Sequence, residues 1–223
     1  METLVNTDSR ETQVRARLAG ALFLGINALY IASLIASEAG PDAIRRPAVA
    51  LQTIACAGTI ALAWSLYELL KPAGPGLALL AFVFRVAEAA IFGVLTVFSL
   101  LLLGEGGSSG PGSAGLALVK SARDATGQVG QVYFCAGSAI FFFLFMRSRF
   151  IPRAIAVFGF AATIVWLASA LVEIGAPAVA RYLAFSGPVF LLAETATGLW
   201  LLVAGAKVRE TSPAVRGPSA TRL

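Results

Sequence analysis

Long apolar runs, each ending in a group of polar or helix-breaking residues, dominate the pattern along this chain. Six of them have the length that a helix needs to cross the hydrocarbon core of a bilayer, about 20 residues. The predicted spans are residues 16–37, 48–70, 77–103, 127–146, 154–174 and 187–206. The pattern therefore predicts an all-α fold, a polytopic membrane bundle of six transmembrane helices.

The breaks between the runs predict one membrane domain with two flanks. Residues 16–206 form the predicted transmembrane domain, after a cytoplasmic N-terminal segment of residues 1–15. Residues 207–223 carry Pro213 and Pro218 among small and charged residues, a composition that favours a disordered cytoplasmic tail.

The longest predicted loop, residues 104–126, has some helical periodicity. Leu116, Val119 and Ala122 recur at helical spacing. Two interpretations stay open: a short interfacial helix on the outer leaflet, or an ordinary surface loop with some helix.

Composition supports the membrane class and excludes a soluble domain. The chain has 223 residues, of which 58% are hydrophobic and 13% charged, and its mean hydropathy is +0.82. Of its 17 Lys and Arg residues, 11 lie in flanks that share one side of the predicted bundle and five in the other flanks. By the positive-inside rule, both termini are cytoplasmic in a multi-pass protein of the inner (plasma) membrane. The basic charge thus orients the chain in the lipid bilayer and predicts no nucleic-acid partner.

The absence of histidine narrows the chemistry. Without His, the usual zinc and haem sites and Ser-His or Cys-His catalysis are excluded. Cys56 and Cys135 lie in apolar runs and form no CxxC motif, so they are interpreted as small buried residues. We expect no metal site and no cofactor.

Three charged residues lie well inside the apolar runs, away from their ends, where charge is expensive and commonly marks a functional site. Arg85 and Glu88 are three residues apart and share one helix face, whereas Glu194 lies in the last run. From the rise of a helix, both glutamates lie roughly 16–18 Å from the cytoplasmic ends of their spans. Three uncharged residues fall near the same depth: Asn27, Thr59 and Trp166.

Two glutamates exceed what one arginine can neutralise. If all three groups share a pocket, the state of lower energy keeps one glutamate protonated, which makes it a potential proton donor. The alternative is that the charges only hold the helices together.

The glutamates also share the local pattern F-x-x-A-E-x-A, at residues 84–90 and 190–196. Each copy lies on the third span of a three-span half, and the two spans run in opposite directions. An inverted 3+3 repeat produces such a match; chance in alanine-rich helices is the other interpretation. Small residues on the first span are predicted to form a close-packing face: Ala21, Gly25, Ala28 and Ala32.

Short charged and aromatic motifs recur along the chain, at residues 17–20 (RLAG), 67–72 (YELLKP), 84–89 (FRVAEA), 147–153 (RSRFIPR) and 194–202 (ETATGLWLL). In order and spacing they resemble the bacterial six-helix membrane family named domain of unknown function 4386, over about residues 15–206. The resemblance implies a six-helix inner-membrane fold with recurring charges at Arg85, Glu88 and Glu194, and it implies no general activity. In size and layout the chain is also similar to small bacterial membrane-bound terpene cyclases.

The specific functional hypothesis is an acid-type, protonation-initiated cyclase or isomerase that acts on a lipophilic, terpenoid-like small molecule. Glu88 or Glu194 is then the general acid, and Arg85 orients its carboxylate partner. Five residues are predicted to bind the substrate, the aromatic ones by facing a carbocation: Asn27, Thr59, Phe84, Phe92 and Trp166.

Two alternatives belong to other classes. One is a proton-coupled transporter or binding protein for a small molecule, and the other is a structural or accessory membrane subunit. The sequence carries no prediction of an oligomeric state.

Overall fold

Helices form nearly all of the chain, because backbone in lipid must satisfy its hydrogen bonds within each segment. The computed structural model describes residues 2–39, 42–103, 112–183 and 185–207. Its helices are α1 (Glu2–Ala39), α2 (Asp42–Leu70), α3 (Pro75–Leu103), α4 (Ser113–Ser148), α5 (Arg153–Gly175), the short α6 (Pro177–Ala180) and α7 (Ser186–Val203), with 3₁₀ turns at Lys71–Ala73 and Arg181–Leu183. These residues include no strand, which confirms the all-α class.

Six of the described helices are long and apolar enough to cross a membrane, which confirms the predicted number of spans. Their spanning segments are Arg10–Ala36, Ile44–Ala73, Pro75–Leu103, Ala114–Ser148, Arg153–Gly175 and Ser186–Val203. The chain is therefore a multi-pass membrane protein in contact with the lipid bilayer.

Two helices begin earlier than the apolar runs predict. Residues 2–15 continue the helix of the first span. Residues 113–126 are the first turns of α4, so the periodicity around Leu116 belongs to the fourth span and not to a separate interfacial helix. No proline interrupts the chain between Ser113 and Ser148, so the helix continues into the polar segment. The predicted tail beyond residue 207 and the Gly/Ser run at 104–111 lie outside the described residues.

The six long helices close into a ring. Each of α1 to α5 packs against its neighbours in sequence, and α7 packs against both α5 and α1. The ring has one end, called here the basic end, that contains the α2–α3 and α4–α5 links together with Arg15 and Lys207. The opposite end, called the far end, contains the end of α3 and the beginning of α4. That the basic end faces the cytoplasm stays a prediction.

Polar contacts at the basic end join α1 and the segment after α7 to the neighbouring helices and links. Arg15 Nη1 lies 2.7 Å from Glu68 Oε2, and Gln13 Nε2 donates a 2.6 Å hydrogen bond to the Ala206 carbonyl. The Lys207 backbone N–H donates to the Phe150 carbonyl at 3.0 Å. These contacts join α1 to α2 and to the segment that follows α7.

The predicted packing face of α1 is wrong, because the helix turns a different side toward its neighbours. Its small residues Ala21, Gly25, Ala28 and Ala32 are exposed. Gly20 makes the close approach instead, because a Cβ there would meet the backbone of Leu202 and Gly198 on α7. The partner helix decides which small residue is needed, and the spacing of small residues alone does not reveal it.

Large apolar side chains fill the half of the ring toward the basic end, called here the basic half. Its fully buried members include Leu62, Leu66, Leu70, Leu144, Phe145, Ile151 and Leu201. In the far half, beyond the level of Glu88, the buried residues are mainly small or polar, and Phe190 is the one ring among the largest fully buried side chains. The dense core therefore lies between the charged residues and the basic end.

Candidate functional site: a buried arginine and two glutamates

Arg85 and Glu88 form an ion pair near the middle of α3. Arg85 Nη1 lies 3.0 Å from Glu88 Oε2, and the two side chains are only 5% and 4% exposed. The pair forms locally, because residues three apart lie on the same face of a helix. That face points into the ring, where Ala78 and Ala81 continue it toward the basic end.

Helix α4 completes the surroundings of Arg85. Arg85 Nη1 lies 3.5 Å from Ser138 Oγ, and its guanidinium lies 4.3 Å from the centre of the Phe134 ring, which stabilises a buried cation through the ring quadrupole. Gly137 leaves room for the arginine stem, since a Cβ there would lie 3.1 Å from Arg85 Cγ and Cδ. The guanidinium is thus held by a carboxylate, a hydroxyl and a ring.

Glu194 reaches the same place from α7. It is 6% exposed and lines one cavity together with Arg85 and Ser138. Its carboxylate is in electrostatic range of Arg85, but the short ion pair of Arg85 is with Glu88. One guanidinium therefore serves two carboxylates unequally.

Asn27 on α1 lies beside the Glu194 carboxylate, close enough to interact with it through its side-chain amide. The amide Nδ2 is nevertheless without a hydrogen-bond partner of good geometry, as is Glu88 Oε2 outside its ion pair. Buried polar atoms normally find partners. Two polar atoms at the centre of the ring are thus left without a hydrogen bond of good geometry to another protein atom.

The cavity between these groups is very small. Its volume is about 10 Å³, and besides the three polar residues its lining is apolar: Phe23, Leu66, Phe141, Phe142 and Phe145. A volume of this size holds about one water molecule. This cavity, which Arg85 and Glu194 line, is large enough for a water or a small ion and too small for an organic molecule.

Aromatic rings pack on the α5 and α7 side of Arg85. The Phe134 ring lies 5.2 Å from Trp166 and 5.1 Å from Phe190, and Trp166 and Phe190 are 4.9 Å apart. Edge-to-face and tilted contacts at these distances are the favourable geometries for aromatic pairs. Together these rings form a continuous wall beside the cation.

The predicted site residues separate into two groups. Arg85, Glu88, Glu194 and Asn27 meet at the centre of the ring, and Trp166 belongs to the aromatic wall. The other three, Thr59, Phe84 and Phe92, have their described contacts elsewhere.

Those three residues have local partners instead. The Thr59 hydroxyl donates to the Ala55 carbonyl at 3.1 Å, the Phe84 ring packs 5.9 Å from Tyr133, and Phe92 lies against Gly130. Their assignment as substrate-binding residues stays a prediction.

Sequence reasoning missed three residues that surround Arg85: Phe134, Ser138 and Phe190. Phe190 was visible as the first residue of the F-x-x-A-E-x-A pattern around Glu194, yet its counterpart Phe84 faces Tyr133. Ser138 and Phe134 lie four residues apart on α4, in an apolar run without a charged residue to draw attention to them. Only the packing of α4 against α3 identifies them.

No group of three or more Cys, Asp or Glu residues in the described ranges is arranged to hold a metal ion. Cys135 is fully buried and Cys56 half-buried, and both are free thiols. The chemistry available at the centre is therefore that of two carboxyl groups and one guanidinium.

Comparison with known proteins places the chain in a family without assigning an activity. No curated protein and no solved structure matches it significantly. The sequence profile of one family, described as domain of unknown function (DUF4386), matches residues 18–205. This match overlaps all six spans and includes the three charged residues at the centre of the ring, and the chain belongs to the DUF4386 family.

Proposed function

We propose that this protein is a proton-coupled transporter or binding protein for a small solute, with its exchangeable proton on the Glu88–Glu194 pair. The observation that carries the proposal is the charge imbalance around the central cavity. Two buried carboxylates share one guanidinium, and Glu194 has no short ion pair. A second negative charge at such a place is costly, so one proton is held there.

Charge balance indicates which solutes exchange with that proton. The site is neutral with one proton bound and carries one net negative charge after the proton leaves. A solute that replaces the proton without charging the interior carries a single positive charge. We therefore expect proton exchange with a small monovalent cation, for which the aromatic wall beside Arg85 offers additional cation–π contacts.

The size of the cavity favours the transporter or binding protein over an enzyme that acts on an organic substrate inside the closed ring. Ligand pockets for organic molecules commonly measure about 300–1,000 Å³, whereas the central cavity is about 10 Å³. A terpenoid enters only after the helices separate. Proton and ion exchange need a much smaller movement.

An acid-type cyclase or isomerase is the second candidate, favoured by the aromatic wall of Phe134, Trp166 and Phe190. Phe134 lies against Arg85, and Trp166 and Phe190 pack on Phe134, so these rings would stabilise a developing carbocation near the charged centre. In this version Glu194, which lacks the close guanidinium, donates the proton and Arg85 keeps Glu88 ionised.

The test uses purified protein in liposomes that contain a pH-sensitive dye. Monovalent inorganic cations, small organic cations and neutral solutes are added in turn, and the solute-dependent proton flux is measured. We expect flux with a cation in the wild type, and its loss in Glu88→Gln and Glu194→Gln. Glu173→Gln is the matched control, since Glu173 lies at the far end and contacts Gln128.

Three results separate the candidates. Cation-dependent flux that survives in both central variants overturns the proton site. The absence of flux with every class of solute overturns the transporter. Conversion of a polyprenyl substrate by the wild type, lost in Glu194→Gln, establishes the enzyme instead.

A further inference from the structure

Tyr30 has an unusual position on the inner face of α1. This face carries residues at a spacing of three or four, among them Ala16, Ala19, Phe23 and Asn27. Ala16 and Ala19 are 0% exposed and Phe23 is 5% exposed, whereas Tyr30, further along the same face, is 49% exposed. On the side of α1 that Tyr30 occupies, the helix is therefore accessible above the level of Asn27, while Ser33 on the adjoining side stays buried at 5% exposure.

The neighbours of Tyr30 show that this exposure is not on the lipid face. Tyr30 is in electrostatic range of Cys56 on α2, Glu88 on α3 and Arg123 on α4. In the ring, α1 packs against α2 and α7, so α3 and α4 lie across the interior. A side chain that approaches groups on these helices and still exposes half of its surface lies in an open space inside the ring.

The open space has a polar floor and a polar rim. At the floor, Glu88 is in electrostatic range of Cys56, which is half-buried. At the rim, Arg123 Nε donates a 2.9 Å hydrogen bond to Ser99 Oγ, which joins α4 to α3. The first turns of α4 continue this rim with an open depression of about 380 Å³, lined by Ala117, Lys120, Ser121, Asp124, Ala125 and Gln128.

The basic half closes the other route to the floor. Leu66, Phe141, Phe142 and Phe145 lie on the basic side of Arg85, each no more than 3% exposed. Glu88 is therefore separated from the basic end by large apolar side chains and from the far end by mostly small and polar groups. The titratable groups in electrostatic range of it are Arg85, Glu194, Cys56, Tyr30 and the fully buried Cys135.

We propose that the far half of the ring is an aqueous vestibule, lined by Tyr30, Cys56 and Arg123, through which water and small polar solutes reach Glu88 from the far end. The vestibule deepens the proposed function, because it gives the central proton a route from one side only. It is tested independently of any proton flux.

The two natural cysteines provide the test within the wild-type chain. Cys56 lines the vestibule, whereas Cys135 is 0% exposed at the same level of the ring. Membrane vesicles of both orientations are treated with the impermeant reagents 2-(trimethylammonium)ethyl and 2-sulfonatoethyl methanethiosulfonate. The thiolate Sγ displaces methanesulfinate and forms a mixed disulfide, which peptide mapping by mass spectrometry assigns to one cysteine.

Two reference cysteines identify the sides. In a chain with Cys56→Ala and Cys135→Ala, Ser121→Cys reports the far end and Lys207→Cys reports the basic end. We expect Cys56 to react in the vesicles in which Ser121→Cys reacts, and at least about tenfold faster than Cys135. Reaction of Cys56 together with Lys207→Cys, or no reaction of Cys56 from either side, overturns the vestibule.

A second readout tests the rim. A cation at the rim attracts anionic reagents and raises their rate of entry, so Arg123→Gln should lower the ratio of sulfonate to ammonium rates at Cys56 several-fold. Arg153→Gln, at the basic end, is the control and should leave the ratio unchanged. An equal effect of both variants overturns the placement of Arg123 at the rim.

The outcomes are distinguishable from those of the flux experiment. If Cys56 is labelled from the far end but no cation-dependent flux is seen, the vestibule is supported and the transporter is contradicted. If flux is seen but Cys56 is not labelled, the transporter is supported and the vestibule is contradicted.

Discussion

The basic half and the far half of the ring are built from the same six helices but differ in what lies between them. The basic half is filled by Leu and Phe side chains such as Leu66, Phe142 and Phe145, each buried to 3% exposure or less. The far half holds Tyr30, Ser99 and Arg123 in its interior, with Tyr30 half exposed. The charged centre lies where the two fillings meet.

Under the proposed function, stability and ligand exchange occupy different halves of the ring. In lipid, helices associate mainly through close packing of side chains, since lipid tails are as apolar as leucine. The basic half supplies that packing and closes one side of the site. The far half contributes less packing and leaves polar groups within reach, as a region that exchanges ligands must.

The largest expected effect comes from truncating one large side chain in each half. Phe145→Ala should lower the free energy of unfolding by about 3–5 kcal/mol, because it leaves a cavity in the dense core. Tyr30→Ala should cost less than about 1 kcal/mol, since half of the side chain is already exposed. Unfolding in mixed detergent micelles, followed by intrinsic fluorescence, measures both. Equal losses would remove the distinction between the halves.

Removal of the central cation should cost nearly as much. Arg85→Met leaves two buried carboxylates without a counter-charge, and breaking a buried pair costs about 3–5 kcal/mol. Lys71→Met is the matched control at the basic end, where the lysine pairs with Glu68 but is 42% exposed, and it should cost about 0–1 kcal/mol. If the two variants unfold alike, the pair at the centre does not stabilise the ring.

The two central glutamates should respond differently to neutralisation. Glu88→Gln breaks the 3.0 Å ion pair and should cost about 1–3 kcal/mol. Glu194→Gln removes the carboxylate that lacks a close counter-charge, so stability should stay the same or rise by about 0.5–2 kcal/mol, as functional groups often do when neutralised. Thermal midpoints in one detergent give the comparison. A large loss in Glu194→Gln would support the structural role for the whole cluster.

The last comparison concerns two glycines on α1, of which Gly25 should show the smallest effect. Gly20→Ala places a Cβ against the backbone of α7 and should cost about 1–3 kcal/mol by overpacking where the ring closes. Gly25→Ala meets open space and should gain up to about 1 kcal/mol from helix propensity. Unfolding curves of the two variants, recorded in the same detergent, compare their free energies of unfolding. A loss in Gly25→Ala as large as in Gly20→Ala would show that the exposed face of α1 is packed in the membrane.

Most of the candidate site was predictable, for an electrostatic reason. Arg85, Glu88 and Glu194 are the charged residues that lie away from the ends of the apolar runs, and charge in lipid must turn inward to find a partner. Because all three turn inward in a ring of six helices, they meet. Phe84, Thr59 and the small residues of α1 were assigned by depth or spacing alone, and neither property specifies the direction of a side chain around its helix.

The sequence alone determined that this chain is a six-span, all-α membrane protein with one arginine and two glutamates in its interior, because run length and the cost of buried charge are local properties of the chain. The tertiary structure decided which partner each charge has. The rotation of α3, α4 and α7 against one another decides the ion pair of Arg85 with Glu88 and the contact of Arg85 with Phe134 and Ser138. The same rotation leaves Glu194 without a short ion pair. The division into a filled half and an accessible half also depends on this rotation, because packing in lipid is set by the shapes of facing helices, and no single helix carries that information.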